Sequence, residues 1–401
     1  MDEKERYKDI DDLLGGLFRP LTLKELFEAK LTELQMSPTA AQDILDISYR
    51  PLKRLLAGEE TTVDLTKLFK LADFLQLPKD QVVKMYVDSL DKNHSTINNI
   101  SPEKIKFIKE NFELAPLKKA GFIDSISDFG HIEKRIISRL RLRSIFEYKN
   151  PPIDVAFSSS EFNPEHHRTR ALWIQAAIAY FEAIDNQYEY SRDRLVKYFP
   201  EIRWNSTNEK SGLTQVVKNL FKIGITVIFQ PPLENLKVFG ATFLVNNKPC
   251  IVLTNYYGLY STLWFTLIHE LYHVLFDLDD IREFKYHLSD TNEQISVKER
   301  ERLANDFARE YLFSKEKLET IRPKLNEPSL VRSFANDNHV HHSIIYAFHA
   351  FDKGKVDRMA WARARRYSPP VEPNILHFGL LWTESKEVED VIKQQRVSVY
   401  N

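Results

Sequence analysis

Two histidines four residues apart, His269 and His273, bracket a glutamate in the sequence His-Glu-Leu-Tyr-His. On an α-helix, residues i and i+4 lie on the same face, so both imidazoles can bind one metal ion, and neutral imidazole is a common zinc ligand. Glu270 lies about 100° around the helix from His269. There its carboxylate can take a proton from a zinc-activated water and return it to a leaving amine. The motif therefore predicts a catalytic zinc site with Glu270 as general base and then general acid.

A catalytic zinc keeps three protein ligands and one open position, so a third ligand must come from elsewhere in the chain. Glu301 is the best candidate, because it begins the stretch Glu-Arg-Leu-Ala-Asn-Asp-Phe-Ala, whose alanines would let this helix approach the motif helix closely. Asn305 shares the face of Glu301 and is a candidate hydrogen-bond partner for a ligand. Glu299 points elsewhere on this helix and is the weaker alternative. The sequence predicts one Zn²⁺ per chain, bound by His269, His273 and Glu301.

The flanking residues predict the helices that position these ligands. Leu267, Ile268 and Leu271 are among the apolar residues that would bury a helix over Leu263–Leu275. This burial favours a metal site over the alternative, a salt-bridged helix with two ordinary histidines. A second helix, over Val297–Leu312, would carry the third ligand.

A change to β-branched and aromatic runs predicts a small antiparallel sheet before the motif. Its strands are Ile225–Phe229, Lys237–Val245 and Cys250–Thr254. Asn246-Asn247 lies between the last two strands and indicates a hairpin turn. An open hairpin edge can hold an extended peptide by strand addition, which would align a scissile carbonyl over the zinc.

Residues 22–77 predict a bundle of short helices. Ser37 caps a helix that opens with a proline, and Ser48 caps a second short helix that ends before Gly58. Two short helices joined by a turn and braced by longer ones form the layout of a helix-turn-helix unit. The alternative is a protein-docking or dimerisation bundle, because acidic residues surround the second helix and phosphate-binding surfaces are normally more basic. The residues that the second helix would present to DNA are Tyr49, Arg50, Lys53 and Arg54.

The composition is that of an ordinary globular protein, with 43% apolar and 28% charged residues in a chain of 401. Lys+Arg 56 against Asp+Glu 57 leaves a formal net charge of -1, so any nucleic-acid contact must come from a local patch. The single cysteine, Cys250, excludes a disulfide framework and a cysteine-ligated zinc site. No run approaches the roughly 18 apolar residues of a membrane span, and the charged N-terminus lacks a signal-peptide core. We therefore expect a cytoplasmic protein without membrane contact.

Two basic clusters are further candidates for nucleic-acid contact. Residues 134–143 contain five lysines and arginines, and residues 353–367 interleave arginines with Trp361 and Tyr367. The second pattern is typical of stacking platforms for single-stranded nucleic acid. The favoured interpretation is nevertheless a solvated helix face paired with acidic neighbours.

A metallopeptidase also needs a group that stabilises negative charge on the peptide oxygen. The sequence does not select this residue. The candidates for it are Tyr286, His287, His339, His341, His342 and His349. The last four of these also suggest a second metal site, but surface or capping roles are the favoured interpretation.

The segment from Ile223 to Leu312 resembles the ImmA/IrrE family of bacterial zinc metallopeptidases. The resemblance rests on Gly-Ile entering the first strand, Phe-Gly-Ala at 239–241, Pro-Cys-Ile-Val-Leu at 249–253, the metal-binding motif with its preceding Phe-Thr-Leu-Ile, and the Glu-x-x-Ala-Asn-x-Phe-Ala stretch from Glu301. Phe334-Ala335 and Val340–Ile345 resemble the sequence that usually follows the peptidase core of the family.

Two positions depart from the family pattern. The family often has glycine before the second histidine, where this chain has Tyr272, and a second glutamate before Ala-Asn, where this chain has Leu303. The second departure strengthens Glu301 as the sole third ligand. The first leaves the metal ligands intact and would alter packing above them.

The resemblance implies a zincin-like peptidase that cleaves a partner protein, often a repressor or antitoxin, to release the genes of a mobile element, stress response or phage-defence locus. The N-terminal bundle is similar to the Cro/repressor type of helix-turn-helix found ahead of many such peptidases. One alternative is a DNA-binding regulator or antitoxin-like protein that uses the zincin fold for protein contact. The other is a nucleic-acid-sensing switch with a latent peptidase.

We expect an α+β protein that is mostly helical. Its predicted parts are a helix-turn-helix domain over residues 1–95 and a helical connector over 96–155. A zincin-like peptidase domain with a small antiparallel sheet follows over 156–330, and a C-terminal extension over 331–401.

Overall fold

The computed structural model describes residues 21–60, 62–93, 100–149, 156–157, 167–234, 236, 238–283 and 291–401. The chain divides into two units, Met1–Asn99 and Ile100–Asn401, and each unit has its own hydrophobic core. The fold is mostly helical with one small mixed sheet, which is compatible with the predicted α+β class. Within the described residues, no helix combines the length and the apolar character needed to cross a bilayer.

The first unit is helical throughout its described elements. These are α1 (Leu23–Glu33), α2 (Pro38–Leu45), α3 (Tyr49–Ala57), α4 (Leu65–Leu75) and α5 (Lys79–Asn93). The Ser37 hydroxyl accepts the Ala40 N–H at 3.2 Å and so caps α2, as predicted. Ser48 occupies the N-cap position of α3, as predicted, but its side chain makes no capping hydrogen bond. Gly58 ends α3 with a φ of 67°, a left-handed conformation that glycine adopts without a Cβ penalty.

The second unit opens with helices, and two of them, His167–Ile184 and Gly212–Lys222, pack against the sheet. The opening helices are α6 (Pro102–Asn111), α7 (Leu114–Lys119), α8 (Phe129–Leu140), α9 (His167–Ile184), α10 (Arg192–Ile202) and α11 (Gly212–Lys222). After the sheet come α12 (Tyr260–Phe276), α13 (Leu278–Glu283) and α14 (Thr291–Leu312). The chain ends with α15 (Lys315–Ile321), α16 (Pro328–Asp337), α17 (His342–Lys353), α18 (Ala360–Arg366), α19 (Glu372–Ile375) and α20 (Val388–Ser398). Short 3₁₀ turns lie at Ile145–Glu147, Arg203–Thr207 and Arg322–Lys324.

The sheet contains β1 (Ala156–Phe157), β2 (Thr226–Phe229), β3 (Gly240–Val245) and β4 (Lys248–Leu253), in the order β1-β3-β4-β2. The predicted hairpin is confirmed, because β3 and β4 pair antiparallel. Its turn residues Asn246 and Asn247 have φ values of 51° and 62°. Positive φ at both central residues is the requirement of a tight type I′ turn, which asparagine tolerates.

The expectation of a purely antiparallel sheet is wrong, because β2 pairs in parallel with β4. All four residues of β2 are buried. A strand that is covered on both faces shows no polar alternation, so its sequence carries little information about the direction of its neighbour.

One continuous core joins the second unit from its first helix to its C-terminus. Ile108, Leu263 and Ile392 all belong to this core, so residues on both sides of the metal-binding motif pack together. The C-terminal part also bonds to β2, where the Phe229 N–H donates to Phe378 O and the Leu380 N–H donates to Phe229 O, each at 3.0 Å. Helix α12 lies within this core, which gives the site a rigid support.

Candidate metal centre

Helix α12 carries the His-Glu-x-x-His motif and is buried along nearly its whole length. The exposed fractions of His269, Glu270 and His273 are 2%, 0% and 1%. Burial of three polar groups in an apolar core costs free energy unless each has a partner. Their partners therefore identify what the site is built to hold.

The structure brings His269, His273 and Glu301 together, as the sequence predicts. The two histidine Nε2 atoms are 3.2 Å apart. The Glu301 Oε2 atom lies 3.3 Å from His269 Nε2, and Oε1 lies 3.4 Å from His273 Nε2. Ligands about 2.0–2.1 Å from a tetrahedral zinc are about 3.4 Å from one another. The two nitrogens and the carboxylate oxygens thus lie at separations close to those expected between ligands of one zinc ion. In the described part of the chain these residues form the only group of this kind.

The weaker alternative, Glu299, is on the same helix as Glu301 but its side chain is 64% exposed. It lies 3.9 Å from Arg302 in a surface ion pair. The structure therefore places only one of the two glutamates beside the histidines.

Each histidine is oriented through its second ring nitrogen. The Nδ1 atom of His269 lies 3.1 Å from Asn305 Oδ1, and that of His273 lies 2.7 Å from Asp277 Oδ2. A proton on each Nδ1 leaves the Nε2 lone pair free to bind a metal. Asn305 was predicted for this role and Asp277 was not. The available signal was its position four residues after His273, which puts it one helical turn further on.

The Glu270 carboxylate is held by the sheet. The Thr242 hydroxyl on β3 donates to Glu270 Oε2 at 2.8 Å. Gly240, also on β3, makes room for the carboxylate, because a Cβ built there would lie 2.5 Å from Glu270 Oε1 and 2.5 Å from Thr266 Cγ2. Neither Thr242 nor Gly240 was predicted, since no local pattern links them to a helix that begins some 20 residues later.

Burial and mutual charge set the protonation of these groups. Burial raises the pKa of Glu270, and the two histidines oppose this shift. Burial alone would raise the pKa of Glu301 and lower that of His273, but their hydrogen bonds outweigh it. The pKa of Glu301 is therefore lowered, and Asp277 and Glu301 raise the pKa of His273 to about 10. A cation that binds here takes the place of the proton that these carboxylates stabilise.

A cavity of about 360 Å³ opens onto His269 and Glu301. Its remaining lining is largely aromatic, with a few polar side chains at one side. The other lining residues are Phe239, Tyr257, Thr262, Phe265, Thr266, Asn305, Asp306, Arg309, Phe348 and Phe351.

The predicted open edge of the hairpin is wrong next to Glu270. Strand β1 pairs antiparallel with β3, with Ala156 opposite Thr242 and Phe157 opposite Ala241. A peptide cannot add to β3 at these two positions while β1 is in place. The cavity, which begins at Phe239 just before β3, offers a separate approach to the metal ligands.

The other histidine candidates have structural partners. His341 caps α17 through Ser343, and its Nε2 lies 2.9 Å from Glu209 Oε1. His349 Nε2 lies 3.0 Å from Asp357 Oδ2. Burial lowers the pKa of His342 to about 4, and the neighbouring His341 adds to this shift. The structure does not bring these histidines, or His339, into the metal group of the described residues. The remaining candidates, Tyr286 and His287, lie outside the described residues.

The first basic cluster contributes to folding. Arg135 donates to the carbonyl oxygens of Phe122, Trp382 and Glu384, and Arg139 donates to that of Leu380. Burial lowers the pKa of Arg139 to about 9. These arginines tie α8 to the C-terminal part of the chain and are not a solvated face.

The second basic cluster is partly paired within the protein. Arg363 forms an ion pair with Asp357 and bonds to Asn326. The Trp361 ring stacks near Tyr257, at 6.2 Å between centroids. The tryptophan is thus part of an aromatic group next to the candidate metal centre.

Helix α3 presents the predicted DNA-contacting face to solvent. Leu52, Leu55 and Leu56 are buried against the core of the first unit. The opposite side chains, namely Tyr49, Arg50, Lys53 and Arg54, are all exposed.

No family model, curated protein or solved structure matches this chain. The resemblance to the ImmA/IrrE family rests on the sequence motifs alone.

Proposed function

We propose that this protein is a zinc-dependent endopeptidase whose active site is formed by α12, α14 and β3. The observation that supports it most directly is the cluster of His269, His273 and Glu301. The two histidine Nε2 atoms are 3.2 Å apart, and one carboxylate oxygen of Glu301 lies 3.3 Å from His269 while the other lies 3.4 Å from His273. A set of two imidazoles and one carboxylate is typical of catalytic zinc sites in metallopeptidases. The buried Glu270 carboxylate beside this cluster adds a group that can transfer protons.

A zinc ion in this position would supply Lewis acidity and lower the pKa of a bound water to about 7. Glu270 is assigned to proton transfer, because the hydrogen bond from Thr242 holds its carboxylate off the face shared by the two histidines. It accepts the proton of the attacking water and later delivers it to the leaving amine. Asn305 and Asp277 keep the imidazoles in the ligating orientation.

We propose that the substrate is a partner protein of the repressor or antitoxin class, and that its cleavage controls a mobile-element, stress or phage-defence locus. The family resemblance supports this part of the proposal. The exposed side chains of α3 support an additional contact between the first unit and duplex DNA. The alternative is a DNA-binding regulator in which the peptidase fold serves protein contact or nucleic-acid sensing.

Replacement of Glu270 by glutamine distinguishes the proposed peptidase from the alternative, a DNA-binding regulator. Glutamine keeps the size of glutamate but does not accept the proton. The variant should fold, retain zinc and cleave its partner at least about 10²–10⁴-fold more slowly. Glu299→Gln is the matched control, because Glu299 is an exposed carboxylate on α14 outside the metal group.

Co-expression with the products of neighbouring genes, followed by mass spectrometry of discrete fragments, would identify the substrate and supply the rate. A Glu270→Gln variant that cleaves at the wild-type rate would eliminate Glu270 as the base. A variant that performs every cellular function of the wild type would favour the regulator. Loss of zinc from this variant would make Glu270 a ligand instead.

A further inference from the structure

Aromatic rings that contact one another line the cavity beside the proposed metal ligands. Tyr257 stacks parallel to Phe239, at 5.1 Å between centroids and 1° between planes. Phe351 meets Tyr257 edge-on at 5.1 Å, and Phe348 meets Phe265 edge-on at 6.0 Å. These rings come from three separate parts of the chain, and their mutual contacts hold them in place before any substrate arrives.

Two charged residues of this cavity, Arg309 and Asp306, are paired with other residues of the protein. Arg309 bonds to Asp352 at 2.6 Å, and its guanidinium lies 4.8 Å from the centroid of the Phe348 ring. Asp306 bonds to Arg302 at 3.1 Å. An incoming charged side chain would lose hydration and would find Arg309 and Asp306 already paired, so the cavity favours an apolar side chain.

The size of the cavity limits what it can hold. Its volume of about 360 Å³ is at the lower end of the roughly 300–1,000 Å³ typical of ligand pockets. It is large enough for one bulky side chain and a short length of backbone. Tyr257 and Phe351, which are 41% and 44% exposed, would be covered by such a side chain.

We propose that this cavity selects substrates with a large aromatic residue next to the scissile bond. The assignment rests on the proposed peptidase function, because the cavity shares His269 and Glu301 with the metal centre. A peptide whose aromatic side chain fills the cavity has its adjoining carbonyl beside the metal ligands and Glu270. Stacking and edge-to-face contacts with the lining rings favour an aromatic side chain over an aliphatic one.

Hydroxamates test this selection without knowledge of the natural substrate. The zinc-loaded full-length protein is titrated by calorimetry with three short peptidyl hydroxamates that differ only in one side chain: benzyl, methyl or carboxyethyl. The hydroxamate group binds zinc equally in all three. We expect the benzyl compound to bind about 10-fold or more tightly than the methyl compound. The carboxyethyl compound should bind no more tightly than the methyl compound.

Two variants assign the preference to the cavity. Tyr257→Ala and Phe351→Ala should each reduce the benzyl-to-methyl ratio by at least about 3-fold while leaving the affinity for the methyl compound within about 2-fold. Leu330→Ala is the matched control, because Leu330 is 44% exposed like Phe351 but lies on α16 outside the cavity.

The outcomes separate the two proposals. A zinc-loaded protein that binds the three compounds equally, or whose preference survives both variants, overturns the aromatic cavity and leaves the peptidase proposal standing. A protein that takes up no zinc overturns the peptidase proposal and the cavity assignment together.

Discussion

Asp277 gives the sharpest test of how the candidate metal centre is supported, because it contacts the proposed ligand His273 and is not itself in the metal-binding group. Its Oδ2 atom lies 2.7 Å from His273 Nδ1, and the residue is only 7% exposed. Asp277→Ala removes both the hydrogen bond and the negative charge. His273 can then rotate about its side-chain bonds, and its ring becomes a weaker electron donor to the metal.

The expected loss of zinc affinity follows from this geometry. Removal of a hydrogen-bond partner of a zinc-bound histidine typically weakens metal binding by about 10–100-fold, or about 1.4–2.7 kcal/mol. The short distance and the burial place Asp277→Ala near the upper end of this range. Asp277→Asn keeps a neutral acceptor at the same position, so it should lose less, about 3–10-fold.

Zinc affinity is measured by competition with a chromophoric chelator at fixed pH and salt. Asp279→Ala is the matched control, because Asp279 lies two residues after Asp277 and its side chain is 90% exposed. Its carboxylate accepts a hydrogen bond from Arg282 on the protein surface. His269→Ala, which removes a ligand, sets the lower limit of affinity. Circular dichroism checks that each variant is folded.

The order of affinities should be wild type and Asp279→Ala, then Asp277→Asn, then Asp277→Ala, then His269→Ala. An Asp277→Ala affinity within 2-fold of Asp279→Ala would refute the argument that this carboxylate orients His273. Equal losses for Asp277→Asn and Asp277→Ala would assign the effect to charge and not to the hydrogen bond.

Two further predictions concern the sheet and the first unit. In Gly240→Ala the new Cβ, 2.5 Å from Glu270 Oε1, must displace the carboxylate. We expect a stability loss of about 1–3 kcal/mol and slower cleavage with unchanged zinc content; cleavage at the wild-type rate would show that this carboxylate position is not needed. Arg50→Ala combined with Lys53→Ala should weaken binding to duplex DNA and reduce its salt dependence, whereas the equally charged control Lys24→Ala with Lys79→Ala should not. A wild type that binds no duplex at low salt would make the first unit a protein-docking module.

Local sequence was sufficient to predict those structural features that depend on only a few neighbouring residues. The four-residue spacing of His269 and His273 places both rings on one helical face whatever surrounds the helix. Ser37 and Gly58 mark helix ends through bonds and backbone conformations confined to a few residues. The Asn246-Asn247 turn determines the hairpin for the same reason.

Contacts between segments that are far apart in the chain could not be predicted from local sequence patterns. The parallel pairing of β2 and the coverage of the β3 edge by β1 were both predicted otherwise. Arg135 and Arg139 form a basic run in the sequence, yet both donate to carbonyl oxygens more than 200 residues away, at Trp382 and Leu380. A run of charged residues indicates that their side chains need hydrogen-bond or ion-pair partners, but it does not indicate where in the chain those partners lie.

The sequence by itself determined that this protein can present two imidazoles to one metal ion, since the four-residue spacing of His269 and His273 makes that arrangement a local property of one helix. The packing of α14 against α12 brings the carboxylate of Glu301 to the same place. Only the tertiary structure decided how Glu270 is held. Thr242 and Gly240 reach it from a strand across the core. The same is true of the aromatic cavity, whose rings at Phe239 and Phe351 are brought together by packing. Packing minimises exposed apolar area over the whole unit, so which rings meet at the site depends on the entire fold and not on any short stretch of residues.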